Sequence, residues 1–395
     1  MAVASTFVTD DDGGGVGHAA GAMMEAKPDK KAFKDWFDRE AAKMLGAQVK
    51  QAWSGFDTRA FLRRATKGLD ALEFAGRVKQ FSGALAAGLP DDIPKALGIL
   101  TDSLPPAMPD CESVTDGWLQ WPVGQFIADH GLPHFDASMD AMTALTQRFS
   151  SEFAVRPFVA ERAEETFARL RGLTDHESPH VRRWCSEGVR PRLPWGAVLR
   201  DLVADPAPIW PILEALDGDP ELYVRRSVAN NLGDIAKDHS DAAIAWAAAC
   251  VKRGGDERMW IAKHGLRTPI KSGNPKALAV LGYKAPKKVE ATLRVAPKRV
   301  AIGGAVELEA TLSSSNRTKQ ALMVDFVVHY VRKKGTGAKA FKWTTCTLAG
   351  GEATALTKKH AMKRTSIRAL YPGKHQVELQ VNGVVLASTA FTLTA

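Results

Sequence analysis

The chain has 395 residues, 45% of them hydrophobic, which is enough to bury large cores and long enough for two or three domains. Its four cysteines, Cys111, Cys185, Cys250 and Cys346, stand far apart with no CxxC pair, which excludes a zinc cluster and a disulfide framework and fits a reducing cytoplasm. The net charge of +9 is unevenly spread: Lys284 to Ala395 holds 19 Lys and Arg against 6 Asp and Glu, a surplus of 13, and the residues before it net −4.

A block this basic is drawn to polyanions, nucleic acid first; a domain that is merely basic and well solvated is the plain alternative. The N-terminus lacks the charged-then-apolar pattern of a signal peptide, and the longest nearly apolar run, AAIAWAAACV, falls far short of the roughly 20 residues that cross a bilayer. A soluble, cytoplasmic protein with no membrane partner is expected.

In chain order, residues 1–28 are small, polar and glycine-rich (MAVASTFVTDDDGGGVGHAAGAM) without hydrophobic periodicity, and predict a disordered arm. From KAFKDWFDREAAKMLGAQVKQAW onward, apolar residues recur at three and four, and breaks such as GLPDDIP and SLPPAMPD close each segment, so 29–283 reads as all-helical. LGYKAPKK is the expected linker. Over 284–395 the texture turns to short alternating runs: VEATLRV, AVELEATL, ALMVDFVVHYV, FKWTTCTL, HQVELQV and VVLASTAFTL. Six or seven strands of this kind predict a small β-sandwich of immunoglobulin-like type, without the paired cysteines of antibody domains.

The helical part contains a weak repeat. HVRRWCSEG is followed 43 residues later by YVRRSVANN and about 37 residues further on by MWIAKHGLR. Helical repeats of about 40 residues mark a HEAT-like α-α superhelix, in which helix pairs stack and one face becomes continuous. The expected fold class is therefore α + β and multidomain, a HEAT-like superhelix followed by the basic sandwich.

In the first copy Val181, Trp184, Cys185 and Gly188 fall at i, i+3, i+4 and i+7 and form the buried stripe, with Trp184 in the core. His180, Arg183, Glu187 and Arg190 form a separate polar line. The second copy offers Arg226, Asn230 and Asp234, the third Lys263, Arg267 and Lys271, and upstream RFSSEFAVRP offers Arg148, Glu152 and Arg156. Pro269 is unexpected inside the third helix. Each line alone reads as a solvated face stitched by intrahelical pairs worth a few tenths of a kcal/mol. Four on one face form a groove suited to a phosphodiester backbone, where carboxylates ask for a cationic partner.

These residues carry a resemblance. LQWPVGQFIADHG, RFSSEFAVRPF, HVRRWCSEGVRPRLPWG and DPELYVRRSVANNLGDIAKDH resemble the AlkC DNA glycosylases, relatives of AlkD in the DNA alkylation repair group of HEAT-like proteins. The similarity spans residues 30 to 283, and some members add a C-terminal immunoglobulin-like domain. It implies base excision repair of alkylated double-stranded DNA, with removal of 3-methyladenine and 3-methylcytosine and without the flipping that most glycosylases use. By motif it implies Glu152, Glu187, Trp195 and Asp234 as active-site residues, with Arg190, Lys263 and Arg267 holding phosphates.

The chemistry agrees with that implication. Alkylation at a ring nitrogen makes the base a cationic leaving group, and the sugar develops oxocarbenium-like charge as the bond breaks. A fixed carboxylate near C1′ stabilises that charge and orients water, and removing such a group typically costs ~10²–10³ in rate. Two carboxylates, Glu152 and Glu187, are suited to serve this role together, either of them positioning the water, and Glu187 is expected to be catalytic rather than a partner for Arg183 or Arg190. No general acid is needed, so His180 and His264 are expected at the surface or behind the site. Trp195 either packs after the proline turn or offers its π face to the cation. No metal ligands or phosphate-cradling loop stand out, and no cofactor and no obligate protein partner are expected.

In the sandwich, VRKKGTGAKAFK places Arg332, Lys333, Lys334, Lys339 and Lys342 around a glycine hairpin, either a solvated turn or a DNA contact that positions without reading sequence. Two competing readings stand beside the glycosylase: a HEAT-repeat scaffold that binds DNA or a protein partner without chemistry, and a glycoside hydrolase-like enzyme, which the basic surroundings disfavour.

Overall fold

A computed structural model describes residues 32–111, 117–364 and 369–395; the arm expected over 1–28 lies outside them. By packing, the described residues form two compact units, one up to Ser227 and one from Val228 onward.

In the first unit the α-helices are Arg39–Ala52 (α1), Thr58–Thr66 (α2), Phe74–Ala86 (α3), Ile93–Asp102 (α4), Trp121–His130 (α5), Phe135–Thr146 (α6), Arg156–Glu161 (α7), Ala163–Arg171 (α8), Pro179–Glu187 (α9), Arg200–Ala204 (α10) and Trp210–Leu216 (α11). The border with the second unit falls inside Leu222–Asp238 (α12). Helix starts follow local chemistry. Asp38, Asp57 and Asp92 accept hydrogen bonds from first-turn amides of α1, α2 and α4, and prolines open α4, α5, α7, α9 and α11, where a missing N–H costs nothing. The apolar stripes then meet: Phe37, Leu45, Phe61, Phe81, Phe126, Phe158 and Trp184 are fully buried. Helices pack on near neighbours in sequence, α1 on α2, α2 on α3, α4 on α6 and α7 on α8, as repeat proteins do.

One expected polar line does not exist as a helix. α6 ends at Thr146 and α7 begins at Arg156, so Arg148 and Glu152 lie in the turns between. The serines explain the break: Ser151 Oγ donates to Met142 O at 2.8 Å and its N–H points to Thr146 Oγ1, giving the backbone local partners outside a helix.

The second unit continues with Ser240–Lys252 (α13), Asp256–Gly265 (α14), Arg267–Lys271 (α15) and Pro275–Val280 (α16). The third repeat copy is split between α14 and α15 at Leu266: Pro269, three residues further on, has no N–H to donate to Gly265 O, four residues before it, and the helix restarts at Arg267.

Among the described residues the sandwich has eight strands, not six or seven: Val289–Ala296 (β1), Arg299–Ala301 (β2), Ala305–Ser314 (β3), Gln320–Val331 (β4), Thr336–Leu348 (β5), Ala353–Ala361 (β6), Gly373–Val381 (β7) and Val384–Thr394 (β8). They form two sheets, β1-β3-β6 and β2-β8-β7-β4-β5. β2 is three residues long, and β6 is an edge strand whose Lys358 and Lys359 mask its alternation, as edge lysines do. Leu308, Leu312, Leu322, Phe326, Val328, Val377, Leu379 and Phe391 fill the space between the sheets. The β4–β5 hairpin closes through Arg332 N–H to Gly335 O at 3.0 Å, with Gly335 at φ +72°, a conformation glycine adopts without steric cost. At the linker, Asn382 donates to Lys284 O (2.7 Å) and Ala321 O (2.9 Å) and accepts from Met323 N–H (2.6 Å), which ties the linker to β4.

Candidate active site

α9 carries the expected stripe: Val181, Trp184 and Cys185 are fully buried. Its polar line is buried as well, contrary to the sequence expectation. His180, Glu187 and Arg190 are all covered, because α9 is packed on more than one side, by the turn before α7 and by the start of α12. Gly188 permits the first of these approaches, since a Cβ there would lie 2.7 Å from Val155 Cγ1.

Around this helix two carboxylates and two guanidiniums interlock. Arg190 Nη1 donates to Glu187 Oε1 at 2.6 Å, and Arg183 Nη2 lies 3.4 Å from the same oxygen. Ser227, from α12, donates to Glu187 Oε2 at 2.6 Å. Arg183 also pairs with Glu152 Oε2, and Ser150 Oγ, 2.8 Å from both Glu152 Oε2 and Arg183 Nη1, completes that corner. The Arg183 guanidinium lies over the Tyr223 ring at 5.3 Å. Glu187 is thus a partner of both Arg183 and Arg190, which corrects the expectation that set it apart from them.

Burial pushes the Glu187 carboxyl up, but the Arg183 and Arg190 charges and the Ser227 hydrogen bond outweigh it and hold the group below the ordinary carboxylate range. Glu187 is therefore a fixed negative charge with both oxygens engaged. Glu152 differs. Its side chain is 14% exposed against 7% for Glu187, its hydrogen bonds fall on Oε2, and Oε1 has no partner among the described residues.

Trp195 stands on the loop that follows α9. It does not pack after the proline turn: it is 61% exposed, at φ +64°, a backbone state that costs a non-glycine residue about 1–3 kcal/mol and persists only when its surroundings enforce it. Arg156 does so. Nε donates to Ala197 O at 2.7 Å, with Nη2 on the same oxygen, and Nη1 donates to Arg190 O (3.0 Å) and Gly188 O (3.3 Å). One buried guanidinium thus fixes both ends of the loop. A chain of rings runs from the indole back toward Glu152. Trp195 meets Phe33 (5.8 Å between centroids), Phe33 meets Trp121 (6.4 Å), and Trp121 stacks on Phe153 (5.0 Å, 17°), the residue after Glu152.

These facts correct four expected phosphate contacts. Arg156 is buried on backbone carbonyls, Arg190 is buried on Glu187, Arg183 is enclosed by Glu152, Glu187 and Tyr223, and Arg148 turns to Pro105 O and Ala144 O. His180 is not at the surface either: it is buried, Nε2 lies 3.0 Å from Asp110 O, and desolvation lowers its pKa. Arg226 is exposed on α12. In the second unit Asn230 is half-buried, Asp234 is buried with Lys237 Nζ at 2.9 Å, Lys263 and Lys271 are exposed, and Arg267 donates to His264 O at 2.9 Å. His264 stacks on Trp260. Arg332, Lys333 and Lys334 are exposed on the hairpin, while Lys339 lies over the Phe341 ring. Sequence reasoning did not single out Ser150, Tyr223 or Ser227, although the last two stand at the positions of His180 and Trp184 in the second repeat copy.

Among the described residues no group of three His, Cys, Asp or Glu is placed to hold a metal ion, and no helix is long and apolar enough to cross a membrane. Residues 289–395 match the family described as "Uncharacterised protein YhaZ, C-terminal Ig-like domain". A relative from Bacillus subtilis (strain 168), "Uncharacterized protein YhaZ", is 32% identical over 366 residues, 91% of this chain and 98% of its own length. The solved structure of the Pseudomonas fluorescens alkylpurine DNA glycosylase AlkC, bound to DNA containing an abasic site analog, is 34% identical with a TM-score of 0.80, covering 92% of this chain and 100% of that one. The chain thus belongs to the family of AlkC and YhaZ, with the fold of an AlkC-like alkylpurine DNA glycosylase and a C-terminal immunoglobulin-like domain.

Proposed function

We propose that the protein is a DNA glycosylase of base excision repair that removes N-alkylated, cationic bases, 3-methyladenine and 3-methylcytosine, from double-stranded DNA without flipping the nucleotide. The observation that carries this reading is Glu152, a carboxylate with one oxygen held by Arg183 and Ser150 and the other without a partner among the described residues.

Chemically, a base alkylated at a ring nitrogen leaves with the electron pair of the glycosidic bond and becomes neutral as it goes. The sugar is left electron-poor at C1′. Glu152 Oε1 is suited to stabilise that centre and to hold the water that adds to it, the proton of that water passing to the carboxylate. Behind it Glu187 supplies a fixed negative charge and holds Arg183 in place. The exposed indole of Trp195 offers its face to the cationic nucleotide, worth ~0.5–2 kcal/mol. Phosphate contact falls to the exposed cations Arg226, Lys263 and the hairpin residues Arg332, Lys333 and Lys334, with the half-buried Arg267 near Lys263 in sequence.

The test is base release from methylated DNA under single-turnover conditions, with products separated by chromatography. Free 3-methyladenine and 3-methylcytosine are expected from the parental protein. Glu152→Gln is expected to lose ~10²–10³ in rate, and Glu187→Gln ~10-fold or more. A folded parental protein that releases no alkylated base overturns the reading.

A further inference from the structure

Trp195 presents a problem of positioning. An indole this exposed, at a loop tip, reorients on the picosecond-to-nanosecond scale unless something restrains it. Arg156 fixes the backbone of its loop, and Gly196 N–H closes a turn on Leu193 O at 3.1 Å, but neither touches the ring. The ring that meets the indole comes from the other end of the first unit: Phe33, in the 3-10 helix Phe33–Trp36, with centroids 5.8 Å apart and planes at 40°.

Phe33 is itself held from several directions. It stacks on Phe74 of α3 at 4.6 Å and 17°, meets Trp36 edge-on at 4.6 Å, and lies 6.4 Å from Trp121 of α5. Trp121 in turn stacks on Phe153, next in sequence to Glu152. The same ring therefore abuts the indole on one side and, through Trp121, the segment that carries the carboxylate on the other.

We propose that Phe33 is a positioning residue: its ring holds the Trp195 indole at a set place relative to Glu152, so that the very start of the helical region, more than 150 residues before the loop, completes the site. The inference rests on the reading of Trp195 as a site residue. It has no counterpart in local sequence signals, because nothing in the repeat pattern links Phe33 to that loop. A catalytic geometry that depends on a loop-borne side chain gains its precision from such support, and small displacements there cost rate rather than affinity.

The test is a double-mutant cycle in the full chain, read as the single-turnover rate of 3-methyladenine release at saturating protein. Phe33→Ala and Trp195→Ala are each expected to slow release by about 3- to 10-fold, the scale of one cation–π contact. Phe33→Tyr is expected to keep the parental rate. In the Trp195→Ala background, Phe33→Ala is expected to add no further loss, since its effect runs through the missing indole. Phe33→Leu keeps the apolar volume without the aromatic face and carries the test if the alanine variant does not fold. A Phe33 loss that multiplies in full with the Trp195 loss overturns the proposal, as does a parental rate in Phe33→Leu alongside a slowed Trp195→Ala. A parental rate in Trp195→Ala itself overturns the reading of Trp195 on which the proposal stands.

Discussion

Ser227 reaches across from α12 to donate a 2.6 Å hydrogen bond to Glu187 Oε2, the oxygen that Arg190 does not use. Both partners are buried, so the hydroxyl is part of what keeps a charge tolerable away from water. Ser227→Ala leaves one carboxylate oxygen unsatisfied, which costs on the order of 1–3 kcal/mol of stability. It also removes a bond made to the charged form, so the Glu187 carboxyl rises from its depressed position toward the ordinary range. If excision needs Glu187 ionised, the acid limb of the pH–rate profile moves to higher pH in the variant while the neutral rate changes less. A melting temperature and a profile both equal to the parental ones would remove Ser227 from the site.

The hairpin Arg332–Gly335 carries three exposed cations, Arg332, Lys333 and Lys334. If each neutralises one phosphate, their joint replacement by alanine reduces the slope of log affinity against log salt by roughly 2 to 3, because each contact contributes about 0.9. The measurement is a salt titration of binding to undamaged duplex DNA. An unchanged slope would make this a solvated turn.

The apolar half of α9 was readable from spacing alone: Val181, Trp184 and Cys185 are core residues. Its polar half was not. A period of 3.6 tells which residues share a face but not whether a second element covers the polar face, and here Tyr223 and Ser227 come from 36 or more residues later and Glu152 from 35 earlier. Pairings over such separations leave no local trace. Arg156 shows the same limit, since a guanidinium that makes four hydrogen bonds to three carbonyls some 30 to 40 residues away looks in sequence like any surface arginine. Strand signals were legible where alternation was strong, as in β3, or where a β-rich apolar run was long, as in β4, and failed at β6, where solvent-facing lysines interrupt the pattern.

Asp325 gives the last prediction. It lies on β4 between the core residues Val324 and Phe326, with its own side chain pointing to the other face of the sheet, and it is only 8% exposed. Burial pushes its carboxyl up to about 6, against the pull of Lys342, its cross-strand neighbour, and of Lys271. Because the folded-state value lies above the ordinary 3.8, the folded chain holds this proton more tightly than the unfolded chain does. Stability at this position is therefore gained as pH falls through about 6, complete below about 4, and missing at neutral pH. A shift of roughly 2 units corresponds to at most about 3 kcal/mol. Asp325→Asn keeps the shape and removes the charge, and both lysines are solvent-exposed, so they lose little by its absence. The variant is expected to unfold about 1–3 kcal/mol later than the parental protein at pH 7, with the advantage shrinking toward zero near pH 4. Thermal or urea unfolding across that range, followed by a signal from the β-sandwich, makes the comparison. A variant that is less stable at pH 7, by an amount that does not change with pH, would mean that Asp325 serves as an ion-pair anchor for Lys342 and Lys271 and not as a buried charge under strain.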